Sequence, residues 1–152
     1  AGGDTLYPSV PHLAERIWQA TFSVGGAIRA GKAGDGLMLS RTQPRPKDSP
    51  RATLAEIQHP VIDAYLEALP SGREPRIVGS RSLYVADNRQ DALRLAEAGL
   101  RPMVDRFVAS GHALPGDTLP EILAAFDTHV GTPEDVIASL SADTTLSRVT
   151  AL

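Results

Sequence analysis

The sequence predicts an α/β fold on a parallel sheet, because short β-prone runs alternate with segments of helical periodicity. Three stretches carry that prediction. Arg16 to Phe22 (RIWQATF) runs into Ser23-Val-Gly-Gly, where a helix can start; Gly36 to Ser40 (GLMLS) follows that helix as a short apolar strand; Ile77 to Ala86 (IVGSRSLYVA) reads as another buried strand ahead of a long amphipathic segment. Strands separated by helices pair in parallel through crossovers of one hand. An eight-stranded barrel takes about 250 residues and about four strands can be placed here, so the pattern fits a small open sheet or part of a barrel.

Taken in order, Ala27, Ile28, Ala30 and Ala33 give the first helix a small apolar surface, and Gly34 ends it. After GLMLS comes an exposed loop over 41–56, whose stretch from Arg41 to Arg51 (RTQPRPKDSPR) holds three prolines, several charges and no periodicity; it reads equally as a lid or a tether. Ile57, Val61, Ile62, Tyr65, Leu66 and Leu69 recur at helical spacing, and Pro70-Ser-Gly stops that helix. Asp87 and Asn88 are caps for a helix with Leu93, Ala96, Leu100, Met103, Val104 and Phe107 on one face. An excursion over Gly111 to Asp127, with His112, Pro115, Gly116 and a short helix around Leu119 to Phe126, comes next. Thr132-Pro-Glu-Asp is a helix start, with Thr132 as N-cap and Pro133 at the first helical position. Arg148 to Leu152 (RVTAL) reads as a strand just beginning.

Composition narrows the function. A net charge of −3 from 15 basic and 18 acidic residues offers neither a field for nucleic acid nor a polybasic patch for a membrane. No apolar run of bilayer length and no leader pattern is visible, so a cytoplasmic protein is expected. With no cysteine, thiolate metal sites and a cysteine nucleophile are excluded, and the four histidines lack ligand spacing, so no metal is expected.

Three blocks in collinear order resemble the luciferase-like FMN-dependent monooxygenase family over nearly the whole chain. RIWQATFSVGGAIRAGKAGDGLMLSR (Arg16 to Arg41) is similar to its fifth strand, phosphate turn, helix and sixth strand, and the SRTQPRP run to one FMN-dependent branch. SRSLYVADNRQDALRLAE (Ser80 to Glu97) resembles the seventh strand and helix; HVGTPEDVIASL (His129 to Leu140) resembles the helix before the eighth strand. The resemblance implies a (β/α)8 TIM barrel of which residues 1–152 are the C-terminal half, about four βα units from strand five to the start of strand eight. It also implies an oxidoreductase using reduced FMN and O2 on a small organic substrate, a flavin reductase or other electron donor as partner, and a homodimer. The family's first four strands have no counterpart here. Two alternatives are an inactive barrel fragment that self-associates or binds an anion without turnover, and another phosphate-binding barrel acting on a sugar phosphate.

Phosphate binds best where free backbone N–H groups and a helix dipole converge. The turn Thr21, Phe22, Ser23, Val24, Gly25 offers this: a Ser23 hydroxyl, amides of Ser23, Val24 and Gly25 as orphan donors, and no acid in the first helical turn. A plain N-cap role for Ser23 is the other reading. Glu134 and Asp135 would oppose an anion at the Thr132 helix. GAIRAGK (Gly26 to Lys32) imitates a Walker A loop, but Ala33 supplies no hydroxyl for magnesium and the segment falls inside a helical pattern. Arg41 and Arg81, at or near strand ends, are substrate or anion candidates, against a solvated surface arginine and an internal ion pair. The resemblance places an arginine like Arg81 near the reacting centre. His12 and His129 are weighed as acid–base groups against capping or surface roles, and Trp18 as flavin platform against core or interface. Catalytic residues stay unassigned, since in this family the flavin carries the oxygen chemistry.

Overall fold

A computed structural model describes residues 7, 10–111, 114 and 116–152. His112 and Pro115 of the expected excursion lie outside the described residues. A 3-10 helix, Pro11–Arg16, leads into β1 (Trp18–Ala20), α1 (Val24–Ala33), β2 (Gly36–Met38), α2 (Leu54–Ala68) and β3 (Ile77–Val78). Then follow β4 (Ser82–Val85), α3 (Arg89–Ala109), α4 (Leu119–Ala125), β5 (Thr128–Gly131), α5 (Pro133–Ala142) and a 3-10 turn, Leu146–Arg148. Strands β1, β2 and β3 form a parallel sheet in that order, with Trp18 beside Gly36 and Leu37 beside Ile77. Strands β4 and β5 form a second, two-stranded parallel sheet. Among the described residues no helix is long and apolar enough to cross a membrane.

The first layer is assembled by small residues. Helix α1 buries Gly26, Ala27, Ala30 and Gly31, while Ala33, expected on that face, is exposed. A Cβ at Gly31 would fall 2.6 Å from the Tyr65 carbonyl oxygen, so glycine is what lets α1 lie directly on α2. Gly34, at φ 72°, closes α1 in the left-handed conformation that glycine tolerates best. Leu37, Leu39, Val61, Ile62, Tyr65 and Ile77 complete this core. The Tyr65 hydroxyl donates to the Asp35 carbonyl at 2.8 Å and accepts from the Arg76 amide at 3.3 Å. One buried phenol thus ties the turn before β2 to the start of β3. The second core, Ala96, Leu100, Ile122 and Phe126, lies between α3, α4 and β5, with Met103 and Phe107 packed against it.

Several expected boundaries move. The strand expected over Arg16 to Phe22 shrinks to three residues because Arg16 belongs to the preceding 3-10 helix. The loop expected over 41–56 ends at Thr53, which caps α2 through a reciprocal box with Glu56. The single strand expected over Ile77 to Ala86 splits at 79–81. There the Gly79 amide donates to the Ala151 carbonyl at 3.0 Å, the Ser80 hydroxyl donates to the Leu39 carbonyl at 3.1 Å, and the Arg81 side chain turns into the interior. Beyond that break the chain pairs with β5, a strand the sequence did not announce. RVTAL contributes a single parallel bridge, Val78 to Ala151, and Arg148 lies in a 3-10 turn.

Candidate functional site

The parallel sheet brings the turn after β1, the loop after β2 and the bend after β3 to one carboxyl end, where ligands of α/β sheets bind. At the first of these, Ser23 caps α1: its hydroxyl oxygen accepts from the Gly26 amide at 3.2 Å. The Thr21 hydroxyl accepts from the Ser23 amide at 3.1 Å. Of the three amides expected to be free, the Ser23 amide is therefore engaged; those of Val24 and Gly25, as first and second helical residues, have no intrahelical acceptor. The turn is open, with Ser23, Val24 and Gly25 all exposed and Phe22 55% exposed. A Cβ at Gly25 would meet nothing within 4 Å, whereas one at Gly26 would collide with the Thr21 side chain. No acid stands in the first turn of α1 and Lys32 stands in its last. The GAIRAGK segment is helical throughout and forms no phosphate loop.

The loop after β2 closes over the neighbouring end of the sheet. Gln43, 5% exposed, donates from Nε2 to the Phe22 carbonyl at 3.4 Å, while its Oε1 is buried without a partner. Arg45 pairs with Asp127, donates to the Gln43 carbonyl at 2.9 Å and to the Ala125 carbonyl at 3.3 Å. Asp127, at φ 43°, also accepts from the Leu54 amide at 3.0 Å, so one aspartate anchors the loop and the start of α2. These contacts tie the loop to the turn after β1 and to the end of α4. Neither Gln43 nor Asp127 carries a local signal that would single it out.

Arg81 and Arg41 have different surroundings. The Arg81 side chain is 1% exposed; Nε donates to Asp143 at 2.6 Å, Nη1 to the Ser80 carbonyl at 2.9 Å and Nη2 to Gln58 at 3.2 Å. This is the geometry of the internal ion pair, with the guanidinium's fork already occupied. Burial pushes the Asp143 carboxyl up, but the hydrogen bond and charge of Arg81, with the Thr145 amide, more than offset this and hold it below the ordinary range. His129 lies against the same aspartate, its Nε2 4.0 Å from Oδ2 and its Nδ1 2.7 Å from the Ser139 hydroxyl. Burial lowers the His129 pKa, Asp143 opposing and Arg81 reinforcing that effect. Arg41 is exposed, and its backbone amide donates to the Ser80 hydroxyl at 3.0 Å.

Other candidates lie elsewhere. Trp18 starts β1, at the end of the strand opposite the Ser23 turn; the Arg76 guanidinium carbon is 5.1 Å from its ring centroid, and a Cβ at Gly36 would fall 2.3 Å from the ring. At 38% exposed and outside both apolar cores, Trp18 is not the core residue that its strand position suggested. His12 is exposed in the first 3-10 helix. Among the described residues no group of three or more His, Asp or Glu could hold a metal ion.

No family model matches the sequence, and no curated protein matches it significantly. Solved structures do match its fold. Monooxygenase RslO1 from Streptomyces bottropensis aligns with a TM-score of 0.56 at 25% identity, over 90% of this chain and 39% of that one. Apo-MsnO8 gives 0.62 at 19% identity, over 99% and 47%. The oxygenating constituent of 3,6-diketocamphane monooxygenase from Pseudomonas putida, a type II Baeyer–Villiger monooxygenase in complex with FMN, gives 0.59 at 16% identity, over 90% and 40%. The chain thus has a mixed α/β fold similar to part of these structures, and spans less than half the length of each.

Proposed function

We propose that the chain is the C-terminal half of an FMN-dependent monooxygenase barrel and that Thr21, Phe22, Ser23, Val24 and Gly25 cradle the flavin phosphate. The observation that carries this reading is the open, acid-free start of α1 at the carboxyl end of β1. Its free Val24 and Gly25 amides and the helix dipole favour a dianion, and the bare face of Gly25 leaves room for phosphate oxygens. The fold match to a monooxygenase in complex with FMN supports the choice of flavin. When bound, reduced flavin supplies the electrons that activate O2 for attack on a small organic substrate. The chain's part is to fix the phosphate and, through Gln43, hold the loop after β2 against the cradle. A flavin reductase or other donor is the proposed electron source, and two copies pair as a homodimer.

FMN titration of the protein and of Gly25→Asp tests the cradle. A Cβ at this second helical position meets nothing within 4 Å and a carboxylate there favours the helix dipole, so stability should be unchanged or slightly higher. FMN affinity should fall at least about tenfold through repulsion of the phosphate. Equal affinity in both proteins rejects the cradle.

The second reading, an inactive fragment that self-associates, is favoured by β1 lying at the sheet edge with Ile17, Trp18, Phe22 and Val24 exposed around it. Size-exclusion chromatography with flavin absorbance separates the two. A colourless, inactive dimer supports the fragment; a protein that retains FMN supports the oxidoreductase.

A further inference from the structure

A cavity of about 390 Å3 lies beneath the proline-rich loop. Its floor is apolar: Met103, Phe107, Leu114 and Phe126 line it, and the Phe107 and Phe126 rings meet edge to face with centroids 5.7 Å apart. Its rim is the loop, and although that loop also holds Asp48, its charged side chains that line the cavity are cations. Arg41, Arg45 and Lys47 line the cavity and, among the described residues, no carboxylate does, although the whole chain carries a net charge of −3. Arg45 is neutralised by Asp127, which leaves Arg41 and Lys47 without an acidic partner among the described residues. Gln43 and Arg45 anchor the stretch of loop that lies between the two cations.

We propose that this cavity binds a small aromatic carboxylate, its ring on the Phe107 and Phe126 floor and its carboxylate between Arg41 and Lys47. The two halves of such a ligand match the two halves of the pocket. Ring burial supplies affinity in proportion to area, and placing the cations at a solvated rim avoids the cost of desolvating them fully. Arginine's planar fork gives the carboxylate two parallel hydrogen bonds. A volume at the small end of ligand pockets restricts the occupant to a compact molecule. Gln43 lines the cavity and also donates to the Phe22 carbonyl, so the pocket adjoins the proposed flavin cradle. Naming this ligand the substrate rests on the flavin reading; the pocket itself does not.

Calorimetric titration with 2-naphthoate and with its neutral counterpart 2-naphthalenemethanol tests the inference. Naphthoate should bind one site at least about tenfold more tightly than the alcohol, the scale of a charge-assisted hydrogen bond. Arg41→Ala/Lys47→Ala should remove that advantage and leave alcohol binding unchanged, while Met103→Ala should weaken both ligands by a similar factor. Equal affinity for the two probes, no binding of naphthoate, or naphthoate binding indifferent to the double substitution overturns the proposal. Circular dichroism checks that each variant is folded; should Met103→Ala fail to fold, the two surface substitutions decide alone. Gly25→Asp lines no wall of this cavity and keeps the flavin reading separate. Charge-dependent naphthoate binding in a protein that fails to bind FMN still supports the pocket, and FMN binding without it overturns the pocket.

Discussion

The two halves of the molecule solve the packing of a parallel sheet differently. From Trp18 to Val78 the strands β1 and β2 are each followed by a helix, and glycine and alanine let backbone lie against backbone; from Ser82 to Ala142 two strands support a helical layer filled by leucine, isoleucine and phenylalanine. The first half presents the open helix start at its carboxyl end, and the second supplies the floor of the carboxylate pocket. They are joined by polar groups: Arg81 with Asp143 and Gln58 on one side, Arg45 with Asp127 on the other. Apolar cores make each half, and charge fixes how the halves meet.

The largest effect should come from breaking that join. Asp143→Asn leaves the buried Arg81 guanidinium without its counter-charge and should cost about 3–5 kcal/mol, whereas Arg81→Met/Asp143→Leu should recover most of that loss. Urea unfolding of the three proteins checks this; a double variant as unstable as the single one would mean that the pair's shape, not its charge, is needed. Ile62→Ala and Leu100→Ala, one per core, should each cost about 2–5 kcal/mol. If the polar join makes the halves one cooperative unit, far-UV and near-UV signals should shift together in both variants. Two separate transitions in Leu100→Ala would show independent halves.

Tyr65→Phe sharpens the contrast within the first half alone. It strands the Asp35 carbonyl and Arg76 amide and should cost about 1–3 kcal/mol while leaving naphthoate binding intact. The smallest expected effect is on pH dependence. His129 takes up a proton less readily in the folded chain than at its ordinary 6.5, so the unfolded state binds more protons as pH falls below that value, and stability declines on acidification. Asp143, held below its ordinary 3.8, adds a further loss once pH falls through that lower range. Urea midpoints between pH 7.5 and 5 should decrease for the protein and stay flatter for His129→Gln; a midpoint that rises on acidification contradicts the buried neutral imidazole.

What was legible in the sequence was what depends on neighbours along the chain. Ser23, Gly34 and Thr132 mark helix ends by local chemistry, and the Ser23 turn lies where its sequence context placed it. The parallel order of β1, β2 and β3 followed from their alternation with helices. What was not legible depends on partners far apart. Arg81 meets Asp143 62 positions away and Arg45 meets Asp127 82 positions away, so no window of periodicity contains either pair. The strand at 128–131 was missed because four residues beside a helix cap carry little pattern until β4 arrives to pair with them.

The hydroxyl of Tyr65 makes the Arg76 amide an internal reporter. That N–H lies outside any strand and would exchange with solvent freely on its own, but its acceptor sits on a fully buried ring. Its protection from hydrogen–deuterium exchange therefore reports the free energy needed to part the Tyr65 ring of α2 from the start of β3.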